Sequence, residues 1–184
     1  TLYAFLDHEP GIRSLDQPRP LQLPLRIGVE FRDVTFTYPG KSTPALRNVS
    51  FHIRPDEAVA LVGQNGAGKT TIVKLLARLY DPDAGQILLE GHDLRAYDVA
   101  DVHGAIGVIF QDYVTYHFSA RENIGLGRLE AIGDLARIEA AAVKSGAAEV
   151  IEALPNGYET MLGRWFDEGY QLSGGEWQKE ALAR

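Results

Sequence analysis

The sequence contains no cysteine at any of its 184 positions. Disulfide bonds and thiolate metal sites are therefore excluded, and a reducing compartment is allowed without being required. The five histidines show none of the spacings that are typical of metal ligands, so a histidine-based metal centre is not predicted either. The chemistry of this chain has to come from other residue types.

Long hydrophobic runs and basic blocks are also missing. No apolar stretch approaches the roughly 20 residues that cross a bilayer, and no signal peptide is visible. The formal net charge is −7, and without a basic patch nucleic acid is not an expected partner. A hydrophobic content of 45% and a charged content of 23% are ordinary for a soluble globular protein. The length allows one domain with a sizeable core.

The most informative stretch that is present covers residues 63–71. It reads Gly-Gln-Asn-Gly-Ala-Gly-Lys-Thr-Thr, a complete G-x-x-x-x-G-K-[ST] phosphate loop. The short apolar run 57–62 before it predicts a buried strand, and the periodicity of 72–80 after it predicts a helix with Ile72, Leu76 and Leu79 on one face. The alternative is an ordinary glycine-rich turn, but strand, loop and helix is the context in which this motif binds phosphate.

The residue types of this loop suit a polyphosphate. Glycines let successive N–H groups point to one place, and these groups form an anion cradle with the positive end of the following helix. Lys69 can reach terminal phosphates as a catalytic residue, and the Thr70 hydroxyl can ligate Mg²⁺. The residues predicted to bind the nucleotide here are Gly63, Gln64, Asn65, Gly66, Ala67, Gly68, Lys69, Thr70 and Thr71.

The remaining elements predict an α/β fold. Residues 1–7 are typical of the end of a helix, and the four prolines within 10–24 indicate a linker. Alternation over Ile27–Tyr38, broken at Arg32-Asp33, predicts a strand antiparallel to a second one at Ala45–Ile53. Further strands are predicted at 86–90 and 105–110, a partly helical stretch from 119–124, and helices at 134–154 and 173–184.

A second glycine-rich stretch, Leu172-Ser-Gly-Gly-Glu176, opens the last predicted helix. Its S-x-x-E spacing predicts a capping box. The capping box does not account for two adjacent glycines in the first turn, where they cost helix stability. Exposed N–H groups at such a helix start form an anion site. The candidate ligand-binding residues of this stretch are Ser173, Gly174, Gly175 and Glu176.

Taken together, the phosphate loop and residues 171–184 resemble the ATP-binding cassette (ABC) proteins, which carry a phosphate loop and a signature helix in this order. The resemblance covers about 27–184. It implies a P-loop NTPase (ABC-type ATPase) core with an N-terminal antiparallel β subdomain and a helical subdomain at approximately 112–184. The stretches 93–95, 106–112 and 121–124 are similar to the exporter branch in particular.

The resemblance assigns roles to two further residues. Gln111 looks like the Q-loop glutamine, which meets Mg²⁺ and the attacking water, and so has an implied catalytic and metal-binding role. Tyr38 looks like the A-loop aromatic that stacks on adenine; the alternative is a strand-end tyrosine that packs on the sheet. Glu176 stands where glutamine is commoner in the family, which puts a carboxylate near a bound γ-phosphate unless that carboxylate keeps its capping role.

The resemblance also implies ATP and Mg²⁺ as cofactors and two partners: a second nucleotide-binding domain, arranged head to tail, and the transmembrane domain of the same transporter. Residues 1–26 then correspond to a linker from that domain, and 160–169 to a loop that contacts it. The implied location is the cytoplasmic face of the cell membrane, with this chain itself soluble. A soluble ABC ATPase and a non-hydrolysing regulatory half-site stay open as alternatives.

The largest departure from the family lies at the C-terminal end. The chain ends at Arg184, before the family's next strand with its Mg²⁺-binding Asp and its catalytic Glu. The resemblance therefore implies that C-terminal core strands are missing and that the chain is a fragment without ATPase turnover of its own. It further implies that residues 58–62 lack a neighbouring strand.

Overall fold

The structure is a computed structural model that describes residues 11–110, 112–164 and 169–184. Gln111, the predicted helix end at 1–7 and residues 165–168 of the predicted membrane-domain loop lie outside the described residues. The chain divides into two compact units, Thr1–Val108 and Ile109–Arg184.

A four-stranded antiparallel sheet dominates the first unit. Its strands are β1 (Val29–Phe36), β2 (Leu46–Ile53), β3 (Ala84–Leu89) and β4 (His92–Asp93), in the spatial order β2-β1-β3-β4. The predicted antiparallel pairing of the first two strands is confirmed. In the pairing of β1 with both neighbours the register shifts around residues 32–34, where the sequence predicted a break.

The shift in register has a local cause at Asp33. Its backbone adopts a left-handed conformation with φ 49°, and its N–H donates to Ser50 Oγ at 2.8 Å. Gly85 on β3 faces the same place, since a Cβ there would lie 2.4 Å from the carbonyl oxygens of Arg32 and Asp33. The bulge thus depends on glycine in the neighbouring strand.

One hydrophobic core holds the first unit together. The buried positions of β1 alternate on either side of the bulge, as a half-buried strand requires. The buried members of this core are Val29, Phe31, Val34, Phe36, Leu46, Leu75, Ile87, Leu89, Leu94, Tyr97 and Val102.

Helix α1 (Lys69–Leu76) follows the phosphate loop, and α2 (Val99–Ala105) follows a 3₁₀ turn at Leu94–Ala96. The predicted face of the first helix is confirmed for Ile72 and Leu76, which are partly buried and pack against the core, and is wrong for Leu79. Thr71 and Leu75 are the buried residues of α1, whereas Leu79 lies beyond the helix and is 42% exposed. Packing of Leu75 into the core of the sheet sets the rotation of the helix, and periodicity alone did not reveal it.

The strands predicted at 57–62 and 105–110 are also wrong. Residues 57–62 and 106–110 have no regular secondary structure, and Ala105 ends α2. Val62 is 93% exposed. A strand needs a hydrogen-bonded neighbour, and no described strand pairs with either segment.

The second unit is helical. It contains α3 (Ala120–Gly125), α4 (Leu135–Ser145), α5 (Ala148–Glu152) and α6 (Gly174–Ala183), with 3₁₀ turns at Leu129–Ala131 and Gly157–Glu159. The single helix predicted at 134–154 is wrong because Gly146 interrupts it. This glycine takes a left-handed conformation with φ 74°, and its N–H caps the carbonyls of Ala142 and Val143, which is a common way to end a helix.

A separate core joins these helices. Its buried members are Ala120, Ile124, Ile138, Ala142, Ala147, Ile151, Leu154, Leu162, Leu172, Trp177 and Ala183. Within the described part of the chain, no helix combines the length and the apolar character that a membrane span requires.

Candidate functional site

The phosphate loop ends in a glycine that the fold requires. Gly68 precedes the first residue of α1 and adopts a left-handed conformation with φ 84° and ψ 5°. A Cβ at this position would lie 2.5 Å from Leu46 Cδ2 and 2.8 Å from the Ala45 carbonyl oxygen. Only glycine combines this dihedral angle with so close an approach to β2. The sheet therefore seats the loop and aims the start of α1.

Lys69 folds back over the loop. Its Nζ donates to the carbonyl oxygens of Gly63 and Gln64, each at 2.8 Å. The first turn of α1 contains no acidic residue, so no carboxylate of this turn neutralises the positive end of the helix. Residues 64–67 are exposed. The loop therefore exposes its backbone to solvent beside the ammonium group of Lys69. This arrangement suits the binding of an anion.

The two threonines that follow the lysine have different surroundings. Thr70 is exposed at the second position of α1, where its hydroxyl is accessible to a ligand. Thr71 is buried, and its Oγ1 lies 3.1 Å from the Tyr38 hydroxyl. Thr70 therefore fits the predicted role in holding Mg²⁺, and Thr71 links α1 to the end of β1.

Tyr38 lies in an aromatic cluster. Its ring packs edge-on against Phe36 at 5.0 Å and against Tyr80 at 5.4 Å between centroids. The Lys74 ammonium lies 5.6 Å from the ring centroid, a cation–π distance. These contacts agree with the alternative of a strand-end tyrosine that packs on the sheet. Its stacking on adenine stays a prediction.

The predicted capping box at the second glycine-rich stretch is confirmed. The Ser173 N–H donates to Glu176 Oε2 at 2.7 Å, and the Glu176 N–H donates to Ser173 Oγ at 3.4 Å. Hydrogen bonds from the backbone and the hydroxyl of Ser173 hold the pKa of the Glu176 carboxyl below its ordinary value. The carboxylate is therefore turned back onto the helix start.

Gly174 and Gly175 form the exposed first turn of α6. A Cβ at either position would meet no atom within 4 Å, and neither glycine has a positive φ. The Gly174 carbonyl accepts a hydrogen bond from the Tyr113 hydroxyl at 2.9 Å. Nothing in the described chain therefore requires glycine at these two positions, although both lower helix stability.

The sequence prediction missed two side chains that support these stretches. Tyr113 anchors the start of α6, and Lys74 covers Tyr38. Neither belongs to a motif, and a lone tyrosine or lysine carries no signal by itself. Among the residues that the structure describes, no group of three or more histidine, aspartate or glutamate side chains is arranged to hold a metal ion.

Comparison with known proteins identifies the family. The family model for the ABC transporter matches residues 46–184. The chain belongs to the ABC transporter family. The predicted fold, an ABC-type P-loop NTPase with an N-terminal antiparallel sheet and a helical part, is thereby confirmed.

Individual members of the ABC family match along the whole chain. An ATP-dependent lipid A-core flippase of Thiobacillus denitrificans is 42% identical over 100% of this chain and 31% of its own length. The flippase of the same name from Escherichia coli K12 is 39% identical over 100% of this chain and 30% of its own. The chain thus spans about a third of these relatives.

A solved structure shares the fold. It is described as a bacterial Atm1-family ABC exporter with ATP bound, is 35% identical, and superposes with a TM-score of 0.84. The match covers 99% of this chain and 30% of the exporter chain.

Proposed function

We propose that this chain binds Mg·ATP through residues 63–71 and is the nucleotide-binding part of an ABC exporter domain that hydrolyses ATP in the full-length protein. The start of α1 is the observation that carries this proposal. Gly68 holds the left-handed turn that aims the helix, and Lys69 lies over the loop with no acidic residue in the first turn. Such a helix start favours phosphate by both its free N–H groups and its dipole.

Lys69 and Thr70 are the side chains of this loop that would contact the phosphates and Mg²⁺. The lysine now donates to two loop carbonyls, and we infer that phosphate oxygens replace them, since a charge-assisted bond is stronger than a bond to a neutral carbonyl. The exposed Thr70 hydroxyl is the residue of this chain that would ligate Mg²⁺. Mg²⁺ would neutralise charge on the phosphates during transfer. Gln111 remains a predicted participant in hydrolysis.

The second part of the proposal concerns a head-to-tail pair of such domains. No steric contact within the described residues requires glycine at the two exposed positions that open α6. Glycine allows a backbone to approach a ligand closely, so we infer that Ser173, Gly174 and Gly175 close on the γ-phosphate held by another copy. Glu176 keeps its capping role, as its bonds to Ser173 support.

The similar proteins support export as the process that ATP hydrolysis drives. Two flippases and one exporter match this chain from end to end. We therefore favour an exporter over the soluble ABC ATPases and over a non-hydrolysing half-site, with a transmembrane domain of the same protein as partner and the cytoplasmic membrane face as location. Residues 1–26 would be the linker between the two domains.

Titration calorimetry with Mg·ATP tests the phosphate loop. We expect Lys69→Ala to weaken binding by on the order of 1.5–3 kcal/mol, because one charge-assisted phosphate contact is lost. Lys144→Ala is the matched control, since Lys144 is an exposed lysine in the last turn of α4. Equal affinities for wild type and Lys69→Ala would contradict the proposal.

A further inference from the structure

The proline-containing segment before β1 is held on the first unit. Ser14 Oγ accepts a hydrogen bond from the Val99 N–H at 2.9 Å, which caps the start of α2. The Arg19 N–H donates to the Ala96 carbonyl at 2.7 Å, and Arg19 forms a parallel bridge with Tyr97. Residues 13–19 therefore lie along the segment 96–99, although their composition predicted only a linker.

A buried arginine contacts the same segment. Arg78 lies two residues beyond the end of α1 and is 3% exposed. Its Nη1 donates to the Tyr97 carbonyl at 2.8 Å, and its Nη2 donates to the Arg13 carbonyl at 3.0 Å. Its Nε lies 3.7 Å from Asp81 Oδ1. One guanidinium thus touches the linker, the segment beneath it and the turn after α1.

Burial of a charged arginine at this position costs free energy, and the filling of space alone is not a reason to bear that cost. A buried charge is unfavourable unless it is paired and hydrogen-bonded, and the backbone of Arg78 also has a positive φ of 49°. An apolar residue would fill the same volume without either charge or donors to satisfy. The planar guanidinium, by contrast, donates in several directions at once, and here two of those directions lead to different segments.

We propose that Arg78 is a positioning residue that latches residues 13–19 to the end of α1. Because α1 begins at Lys69 and is only eight residues long, the latch ties the position of this segment to the helix that carries the phosphate loop. The proposal concerns the linker alone and stands independently of nucleotide binding.

Amide hydrogen exchange tests the latch without any ligand. The Arg19 and Val99 amides are direct reporters, because both donate across the contact between linker and unit. In Arg78→Met we expect both to exchange about tenfold faster or more, since loss of a buried charged donor frees the segment. Amides of β1 that pair with β3 serve as the internal reference and should change much less.

Two further variants sharpen the experiment. Arg78→Lys keeps the positive charge but loses the planar guanidinium with its several donors. We therefore expect an intermediate acceleration of hydrogen exchange at the Arg19 and Val99 amides. Arg54→Met is the matched control, because Arg54 is an exposed arginine of the same unit whose ion-pair partner, Glu57, lies outside the latch. Its reporter amides should exchange at the wild-type rate.

Three outcomes would overturn the latch. Wild-type exchange at Arg19 and Val99 in the Met variant is the first. Acceleration that only parallels that of the β1 amides is the second, because it would assign Arg78 to global stability. Loss of the folded state in both Arg78 variants is the third, for the same reason.

Discussion

Two helices of this chain have glycines at their N-terminal ends, and the structural requirement for glycine differs between them. Before α1, Gly68 takes a left-handed turn and leaves no room for a Cβ against Leu46. At the start of α6, Gly174 and Gly175 have ordinary φ values and open space around them. The first glycine is required by the fold of its own unit, whereas the other two are not.

The difference separates a site whose glycine is explained by the fold from a helix start whose glycines the described chain does not explain. The phosphate loop is braced against β2, so its shape follows from the first unit. The two glycines in the first turn of α6 lower helix stability, and no contact within the described chain requires them. Close approach of a ligand or of a second copy, as proposed above, would give these glycines a physical reason.

Gly68→Ala should have the largest effect. The left-handed conformation costs a non-glycine residue about 1–2 kcal/mol, and the overlap with Leu46 and Ala45 adds typically 1–3 kcal/mol. We therefore expect the free energy of unfolding to fall by roughly 2–5 kcal/mol, measured by urea denaturation with circular dichroism.

Gly66→Ala is the control that splits these two contributions. Gly66 also has a positive φ, 82°, but a Cβ there would meet nothing within 4 Å. It should show the dihedral cost without the overlap. If the two variants are equally stable, the bracing of the loop by β2 is wrong.

A second contrast is electrostatic and predicts a pH dependence. Glu180 on α6 is 1% exposed, and its Oε1 has no hydrogen-bond partner among the described residues. Burial raises the pKa of this carboxyl to about 7, against the opposing charge of Arg184. Burial raises the pKa of Tyr158 above its ordinary value, and the charges of Glu139, Glu152 and Glu180 raise it further.

The sign of the effect follows from proton binding. Between the ordinary pKa of 4.5 and about 7, the folded state holds a proton on Glu180 that the unfolded state has released. The free energy of unfolding therefore falls as pH rises through this window, by on the order of 3 kcal/mol in total, and levels off above it. Carboxyls with lowered pKa values, such as Glu122 in its capping box, act below this window.

Glu180→Gln tests this assignment. The variant should lack the decline between pH 4.5 and 7 and should be more stable than wild type at pH 8, as measured by urea denaturation followed through tryptophan fluorescence. The exposed Glu139→Gln is the matched control and should follow the wild-type profile. A decline that survives in Glu180→Gln would assign the pH dependence to other groups.

Local signals in the sequence predicted the parts of the fold that short-range chemistry decides. The alternation of β1 with its break at Arg32-Asp33, the glycine-rich loop and the capping box at Ser173 all appear as expected. Each depends on residues within a few positions of one another. Even here one residue of the predicted face of α1 was wrong, because the helix ends at Leu76 and Leu79 lies beyond it.

Non-local partners account for the other errors and omissions. The apolar run 57–62 indicates burial, but a strand exists only with a neighbour that pairs with it, and no described strand does so. Arg78 and Glu180 were not singled out, because a lone arginine or glutamate in a helical pattern usually lies in solvent. The roles of these two side chains become visible in the folded structure, where Arg78 contacts Arg13 and Tyr97 and Glu180 lies near Arg184.

Gly175→Ala is the smallest effect and the sharpest test of the opening comparison. Alanine favours a helix over glycine by roughly 0.5–1 kcal/mol in the interior, so we expect an increase in stability below about 1 kcal/mol at this first-turn position. The sign is opposite to that of Gly68→Ala. At the same time, association of two copies in the presence of Mg·ATP, followed by light scattering, should weaken if a second copy approaches this turn. A variant that is more stable and associates as well as wild type would show that no partner needs these glycines.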